Sequence, residues 1–502
     1  MPVALQLLRF AINLAVTMLL ARILTPADFG LYGMALTVIG LLLLFRDGGV
    51  ESAMLHHERL TADELASLAS LNTLFGLALA AVCAVLAPLL AAFYHEPRLL
   101  GATLLFCTCF LGYGLDVQPG ALLLRGHRFE THAKVEVAAL AFGLAVALLM
   151  AAAGAGYWAL FTIEVTTSVA MLAGHWRATR WRPRFSRDLR RVAKFIRFGR
   201  DVSLVRILGH VGRNIDNVLV GLLYGPAALA IYSKAVRLTT MPQEGVNWPL
   251  TRVAIPTLSR LRNDSTAYVA VFRRLNLLSA ALGMPWAMFF MVSADAVVRV
   301  VYGAQWSASA PLLRFLGVMG LCNTFLLATV WIYTSAGTVN RQVRWEVLNT
   351  AGLALAFLVG LHWGIAGMAV AASAGYVLLR LPALSYCFHG TAVRLRDLAI
   401  VLWRPTLAAG IGGGGVVAVR ALVGSPASPL GALALDGVVL TAGYGLGWVL
   451  VPGWGAFLRR ELRERPLEGA ALGSLQPGGK PSVDPGQGVV EAEGSLRFGP
   501  GI

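Results

Sequence analysis

Four polar residues fall on one face of a stretch that is otherwise apolar. Arg206, His210, Arg213 and Asn217 stand four, three and four residues apart, the spacing that stacks side chains in a single helical stripe. Asp216 lies beside that stripe. In the next apolar run Lys234 and Arg237 are three apart, with Arg252 further along. Five cations face the single acid Asp216 on or beside the stripe, with only Glu244 besides in the second run, so they cannot all be neutralised within the two runs. A charge at the centre of a bilayer costs about 2.5–3.5 kcal/mol on insertion scales, so such groups turn toward a cavity or a partner. A diphosphate would supply the missing countercharge, and Arg206, Arg213, Lys234 and Arg237 are expected to attract it. Other roles stay open for the same residues: Arg206 and Arg237 could snorkel to an interface, and Arg213 could pair with Asp216.

Asp216, Glu164 and His210 are the candidates for coupling a cation to the same process. Glu164, in the middle of a long apolar run, is either such a group or an acid held neutral by a hydrogen bond. Asp116, Arg314 and Arg380 are further ionisable residues inside apolar runs. Arg9 and Asn13, an i, i+4 pair near the start of the chain, are expected to face the same cavity.

The elements that must position these groups are membrane helices. Of 502 residues 57% are hydrophobic and only 14% charged, against about a quarter charged in ordinary soluble domains. That composition excludes a soluble multidomain enzyme, a disordered scaffold and a secreted disulfide framework. Fourteen apolar runs lie between residues 3 and 451. They are continuous rather than alternating, which excludes barrel strands. The five cysteines all lie in apolar runs without a CxxC pair, and are read as small buried apolar side chains. The first run is read as a spanning helix and not as a cleavable signal.

The charge distribution tests the count. With a cytoplasmic N-terminus, the inside segments carry 29 Lys and Arg, and the outside loops only Arg22, Arg98 and Arg299. A miscounted helix would mix the two columns. The net charge of +16 is therefore assigned to topology and not to nucleic acid, and both termini are expected in the cytoplasm.

The expected fold class is an all-α integral membrane protein of about 14 transmembrane helices, in two pseudo-symmetric six-helix lobes plus two C-terminal helices. Its parts would be a lobe over residues 1–176, a basic linker over 177–200 lying on anionic lipid, a second lobe over 201–390, two more helices over 391–456, and a disordered tail over 457–502. An internal repeat agrees with the division: at an offset of 200, Pro26 meets Pro226, Ala27 meets Ala227, Tyr32 meets Tyr232 and Ala35 meets Ala235. Lobes of equal orientation place a substrate site in the cleft between them.

Residues 410–415 satisfy GxGxxG but sit in an apolar run with no preceding strand, so no dinucleotide site is expected. Gly443 and Gly447 have the spacing that lets membrane helices approach closely. No HExxH, P-loop or GxSxG occurs, and no cofactor or metal is expected.

The stretches LLARILTPADFGLYGMALTVIG (19–40), FRDGGVESAMLHH (45–57), NIDNVLVGLLYGPAALAIYSKAVRLTTMP (214–242), GVNWPLTRVAIPTLSRL (245–261) and VVYGAQWSASAPLLRFLGVMG (300–320) resemble the polysaccharide-exporter (Wzx-like) lipopolysaccharide flippase family. That family belongs to the superfamily of multidrug and lipid-linked oligosaccharide exporters. The resemblance runs over residues 10–390 and includes Asp28, Gly30, Tyr32, Asp216 and Tyr232. It implies a non-enzymatic flippase for undecaprenyl-diphosphate-linked oligosaccharide, working by alternating access in the bacterial inner membrane for capsule, exopolysaccharide or O-antigen assembly. Membrane lipids, a polysaccharide polymerase and glycosyltransferases would be its partners. Family members usually carry a basic stretch ahead of the first helix, whereas Met1 stands almost inside it, so the resemblance implies an earlier start or a weakly anchored first helix. The alternatives are a multidrug or cation antiporter, which would favour an acidic cavity; a membrane glycan polymerase or ligase, which would need a large outside loop; and a non-transporting lipid-binding scaffold.

Overall fold

The computed structural model describes residues 2–45, 54, 61–180, 186, 193–324 and 326–450. The tail over 457–502 and residues 181–185 and 187–192 of the basic linker lie outside the described residues. Among those described every regular element is helical, as continuous apolar runs require when no water is present to satisfy an open backbone. The first group is α1 (Pro2–Ile23), α2 (Pro26–Leu43), α3 (Ala62–Phe93), α4 (Arg98–Arg125), α5 (Phe129–Ala152) and α6 (Trp158–Thr179). Then come α7 (Ala193–Arg260), α8 (Ser265–Val292), α9 (Ala294–Val301), α10 (Ser309–Asn323), α11 (Leu326–Ser335), α12 (Val339–Gly360), α13 (Gly364–Phe388), α14 (Leu395–Val423) and α15 (Pro429–Leu450). Ten helical stretches among the described residues are long and apolar enough to cross a bilayer, and one of them, residues 340–388, holds both α12 and α13.

Local chemistry sets the boundaries. Pro26 opens α2, five residues before the apolar run suggests, because Thr25 and Asp28 form a capping box ahead of it. The Asp28 carboxylate accepts from the Thr25 N–H at 2.9 Å, and the Thr25 hydroxyl accepts from the Asp28 N–H at 3.3 Å, so two orphan donors are satisfied together. The repeat partner behaves alike. Helix α7 is broken only at Gly225, at φ 81° and ψ −179°, a backbone that glycine adopts freely, and Pro226 then starts its second half.

At the end of α10 the Thr324 hydroxyl bonds back to the Gly320 carbonyl at 3.5 Å. The segment over 295–309, expected as an open loop, instead holds α9 and a single 3-10 turn, Ala304–Trp306. Its eight-residue helix is too short to register as a span, yet it buries Ala294, Ala296, Val297 and Val298.

Helices α3 to α6 pack on one another with α1 against α5, whereas α7 to α15 pack among themselves. Helix α2 is the exception, lying chiefly along α7. A single buried cluster therefore crosses from Leu31 and Met34 to Val220, Leu229 and Trp306. At the far end of the chain α15 lies on α14, where a Cβ at Gly443 or Gly447 would come within 2.8 Å of Gly412 or 2.7 Å of Ala408. The glycine-rich stretch 410–415 is thus helix, and its Gly412 marks the crossing point of a neighbour.

Candidate functional site: a cavity closed at one end

The second of the repeat-related prolines, Pro226, lies against α2. Gly30 lies so close to Pro226 that a Cβ there would sit 1.7 Å from the Pro226 carbonyl oxygen. Beside this contact, the turn after α1 is gripped by the segment that follows α9. The Arg22 guanidinium donates to the Val300 carbonyl at 2.8 Å, the Trp306 indole N–H to the Ala21 carbonyl at 2.7 Å, and the Gln305 amide to the Leu24 carbonyl at 3.1 Å. Carbonyls at a helix C-terminus lack intrahelical donors, and here the opposite group of helices supplies them. The Trp306 ring also meets Phe29 edge-on at 5.4 Å.

Further along the same interface the helices part around a cavity of about 320 Å³. It is lined by Arg9, Asn13, Leu14 and Thr17 of α1, by Arg237 and Met241 of the second half of α7, and by Tyr302 at the closed end. Among the described residues, no acidic side chain lines it. The expected pairing of Arg9 and Asn13 with Arg237 on one cavity is therefore observed. Arg9 also lies 3.5 Å from Glu136 of α5.

The other expected site residues are placed differently. The side chains of Arg206 and Arg213 lie outside the described residues. Lys234, three residues before Arg237, is not in the cavity wall: its ammonium sits 3.9 Å from the centre of the Phe29 ring, 5.0 Å from Tyr302 and 5.7 Å from Trp306, with no ion pair among the described residues. Cation–π attraction to three rings holds it there.

Asp216 accepts from the Tyr232 hydroxyl at 3.0 Å and from the Asn217 N–H at 2.9 Å, joining the two halves of α7. His210 places Nε2 3.1 Å from the Thr37 carbonyl, so that nitrogen is the donor and the ring ties α7 to α2. Glu164 accepts a short bond, 2.6 Å, from the Tyr113 hydroxyl. Asp116 meets His175, Arg314 pairs with Asp295, and Arg380 is buried within α13.

Phe29, Tyr302, Gln305 and Trp306 escaped the search for ionisable groups because their work is done by rings and neutral donors. A second omission was His132 with Glu136, an i, i+4 pair in α5 whose spacing was readable.

Comparisons with known proteins identify the family and the fold. A family model described as polysaccharide biosynthesis protein matches residues 19–311. The teichuronic acid biosynthesis protein TuaB of Bacillus subtilis is 28% identical over 316 residues, 62% of this chain and 65% of that protein. The succinoglycan biosynthesis transport protein ExoT of Rhizobium meliloti is 26% identical over 326 residues, 63% of this chain and 65% of that protein. The match thus spans just under two thirds of the length of both relatives. Among solved structures, the lipid II flippase MurJ in an inward closed conformation superposes with a TM-score of 0.69 over 92% of this chain and all of that one, at 12% identity. At that identity the likeness establishes the fold.

Proposed function

This chain belongs to the polysaccharide biosynthesis protein family whose model covers residues 19–311, and from that premise we propose that it is a flippase for a lipid-linked oligosaccharide. Its substrate would be a glycan on a polyprenyl diphosphate such as undecaprenyl diphosphate, carried from the cytoplasmic to the outer leaflet of the bacterial inner membrane. One observation carries the reading: the cavity between α1 and the second half of α7 presents the cations Arg9 and Arg237 and, among the described residues, no acid. Its volume falls within the ~300–1,000 Å³ of ordinary small-ligand pockets, which suits a diphosphate headgroup. A cationic drug would meet repulsion in the same place, which disfavours the antiporter reading.

We assign the two lobes to residues 1–176 and 201–390, the linker to 177–200, the extra helices to 391–456 and the tail to 457–502, with both termini in the cytoplasm. The closed Gly30–Pro226 end then faces outward, and the cavity is loaded from the cytoplasmic side. Alternating access requires the closed end to part as the lobes rock. Phe29 belongs to one lobe, and Lys234, Tyr302 and Trp306 to the other. Parting therefore strips one ring from Lys234 and frees its ammonium for the departing diphosphate. Arg206 and Arg213 are assigned to attract the same diphosphate, and Asp216, Glu164 and His210 to act as coupling groups. A polymerase and glycosyltransferases would act on the product and supply the substrate.

Reconstitution tests the function directly. Liposomes containing the purified protein should move a fluorescent polyprenyl-diphosphate sugar between leaflets faster than empty liposomes. Equal rates would leave a lipid-binding scaffold as the better description.

A further inference from the structure

The described part of the first group buries a line of titratable residues that leads to the cavity wall. Asp116 of α4 lies 2.8 Å from Nδ1 of His175 in α6. The His175 ring stacks on that of His132 in α5, with centroids 4.8 Å apart and planes within 5°. His132 Nε2 is 3.8 Å from one carboxylate oxygen of Glu136, and the other oxygen is 3.5 Å from Arg9. Arg9 lines the cavity. On α5 itself the remaining nearby charges, Glu130 and Lys134, pair with each other at 2.7 Å. Helices α1, α4 and α6, which pack against α5, thus face His132 with Arg9 (through Glu136), Asp116 and His175.

Two features make this line a proton site. First, His175 Nε2 and His132 Nδ1 are buried without a hydrogen-bond partner, an arrangement that costs free energy in an apolar surrounding. Second, the charges do not cancel. Two carboxylates face one guanidinium, so with both imidazoles neutral the line carries one negative charge in excess. A single proton on the histidine pair balances it. A second would place two imidazolium rings face to face, which their repulsion opposes.

Glu136 is the shared element, because it stands between a permanent cation and a titratable one. With His132 neutral, its charge is spent on Arg9 and weakens the field that Arg9 projects into the cavity. With His132 protonated, Glu136 gains a second countercharge and Arg9 is released toward an anion. We propose that His132, with His175 and Asp116 behind it, is a proton-binding site positively linked through Glu136 to diphosphate binding at Arg9. This rests on the reading of the cavity as a diphosphate site. By linkage the effect is reciprocal: binding the anion draws a proton onto the pair. Affinity rises as pH falls through the histidine range.

The test uses the full-length purified protein and a polyprenyl-diphosphate N-acetylglucosamine, a diphosphate diester with no titration of its own between pH 6 and 8. Wild type should bind it more tightly at pH 6 than at pH 8 by about fivefold or more, the lower end of ordinary site–site coupling. Calorimetry in two buffers of different ionisation enthalpy should show proton uptake on binding. His132→Gln should bind with the pH 8 affinity at both pH values and take up no proton. Glu136→Gln should bind tightly at both, a gain that misfolding cannot mimic.

Retention of the pH dependence in His132→Gln, or weaker binding in Glu136→Gln than in wild type at pH 8, would overturn the linkage. Equal wild-type affinity at both pH values would overturn it while leaving the diphosphate site intact. Absence of wild-type binding at either pH would overturn the diphosphate site itself, and the linkage with it.

Discussion

The two ends of the seam between the helical groups are built from different chemistry. At the closed end, carbonyls of the α1 turn receive neutral donors, the Arg22 guanidinium of α1 donates across to the Val300 carbonyl, Gly30 lies on the Pro226 backbone, and three rings surround an ammonium. At the cavity end the two groups face each other with Arg9 and Arg237 across open volume. The first end is closed by contacts worth roughly 0.5–1.5 kcal/mol net each, which is the scale of a reversible latch. The second presents two guanidiniums to one cavity, where an anion could bridge the two groups of helices.

The strongest test of this contrast removes the close approach. Gly30→Val puts side-chain atoms where the Pro226 carbonyl stands, so the closed end cannot form. Transport should be lost although the protein still inserts, and disulfide trapping between cysteines placed at 22 and 300 should fall to background. Efficient trapping in that variant would show that the latch does not depend on the Gly30 contact.

A substitution away from the seam should behave in the opposite way. Asp436, buried in α15, pairs with Arg420 of α14, and Arg420 also donates to the Val292 carbonyl at 2.8 Å. Breaking a buried pair from one side costs about 3–5 kcal/mol, so Asp436→Asn should lower the melting temperature in detergent sharply while trapping at 22 and 300 stays efficient. Loss of trapping would mean that α14 and α15 also set the seam.

A smaller effect is expected from Trp306→Phe. It keeps a ring over Lys234 but removes the indole donor from the Ala21 carbonyl, which retains the Gln305 amide, so the loss is that of one net hydrogen bond, about 0.5–1.5 kcal/mol. Hydrogen exchange at the α1–α2 turn should speed up, with the melting temperature little changed. Unaltered exchange would assign the latch to Gly30 and Gln305 alone.

Much of this architecture is legible in the sequence because continuous apolar runs leave helices as the natural choice, and Pro26 and Pro226 announce where two of them begin. Arg9, Asn13 and Arg237 were readable for the same reason: helical spacing fixes which residues share a face. Lys234 shows where that rule stops. It shares a helix with Arg237, yet its surroundings come from residue 29 and residues 302–306, and no local pattern reports which rings a fold will gather. The histidine line is hidden in the same way. His132 and His175 stack only because α5 and α6 are rotated toward each other, and Asp116 joins from a third helix. The α9 segment was missed because a scan for membrane-length runs passes over eight residues.

The central claim is that the cavity cations carry a diphosphate across the membrane, and its most direct measurement is leaflet-to-leaflet movement of a polyprenyl-diphosphate sugar in proteoliposomes made with the Arg9→Gln, Arg237→Gln double variant. With wild-type folding verified by size-exclusion profile and melting temperature, movement should drop to the rate of protein-free liposomes. Movement at the wild-type rate would contradict the role given to those two arginines.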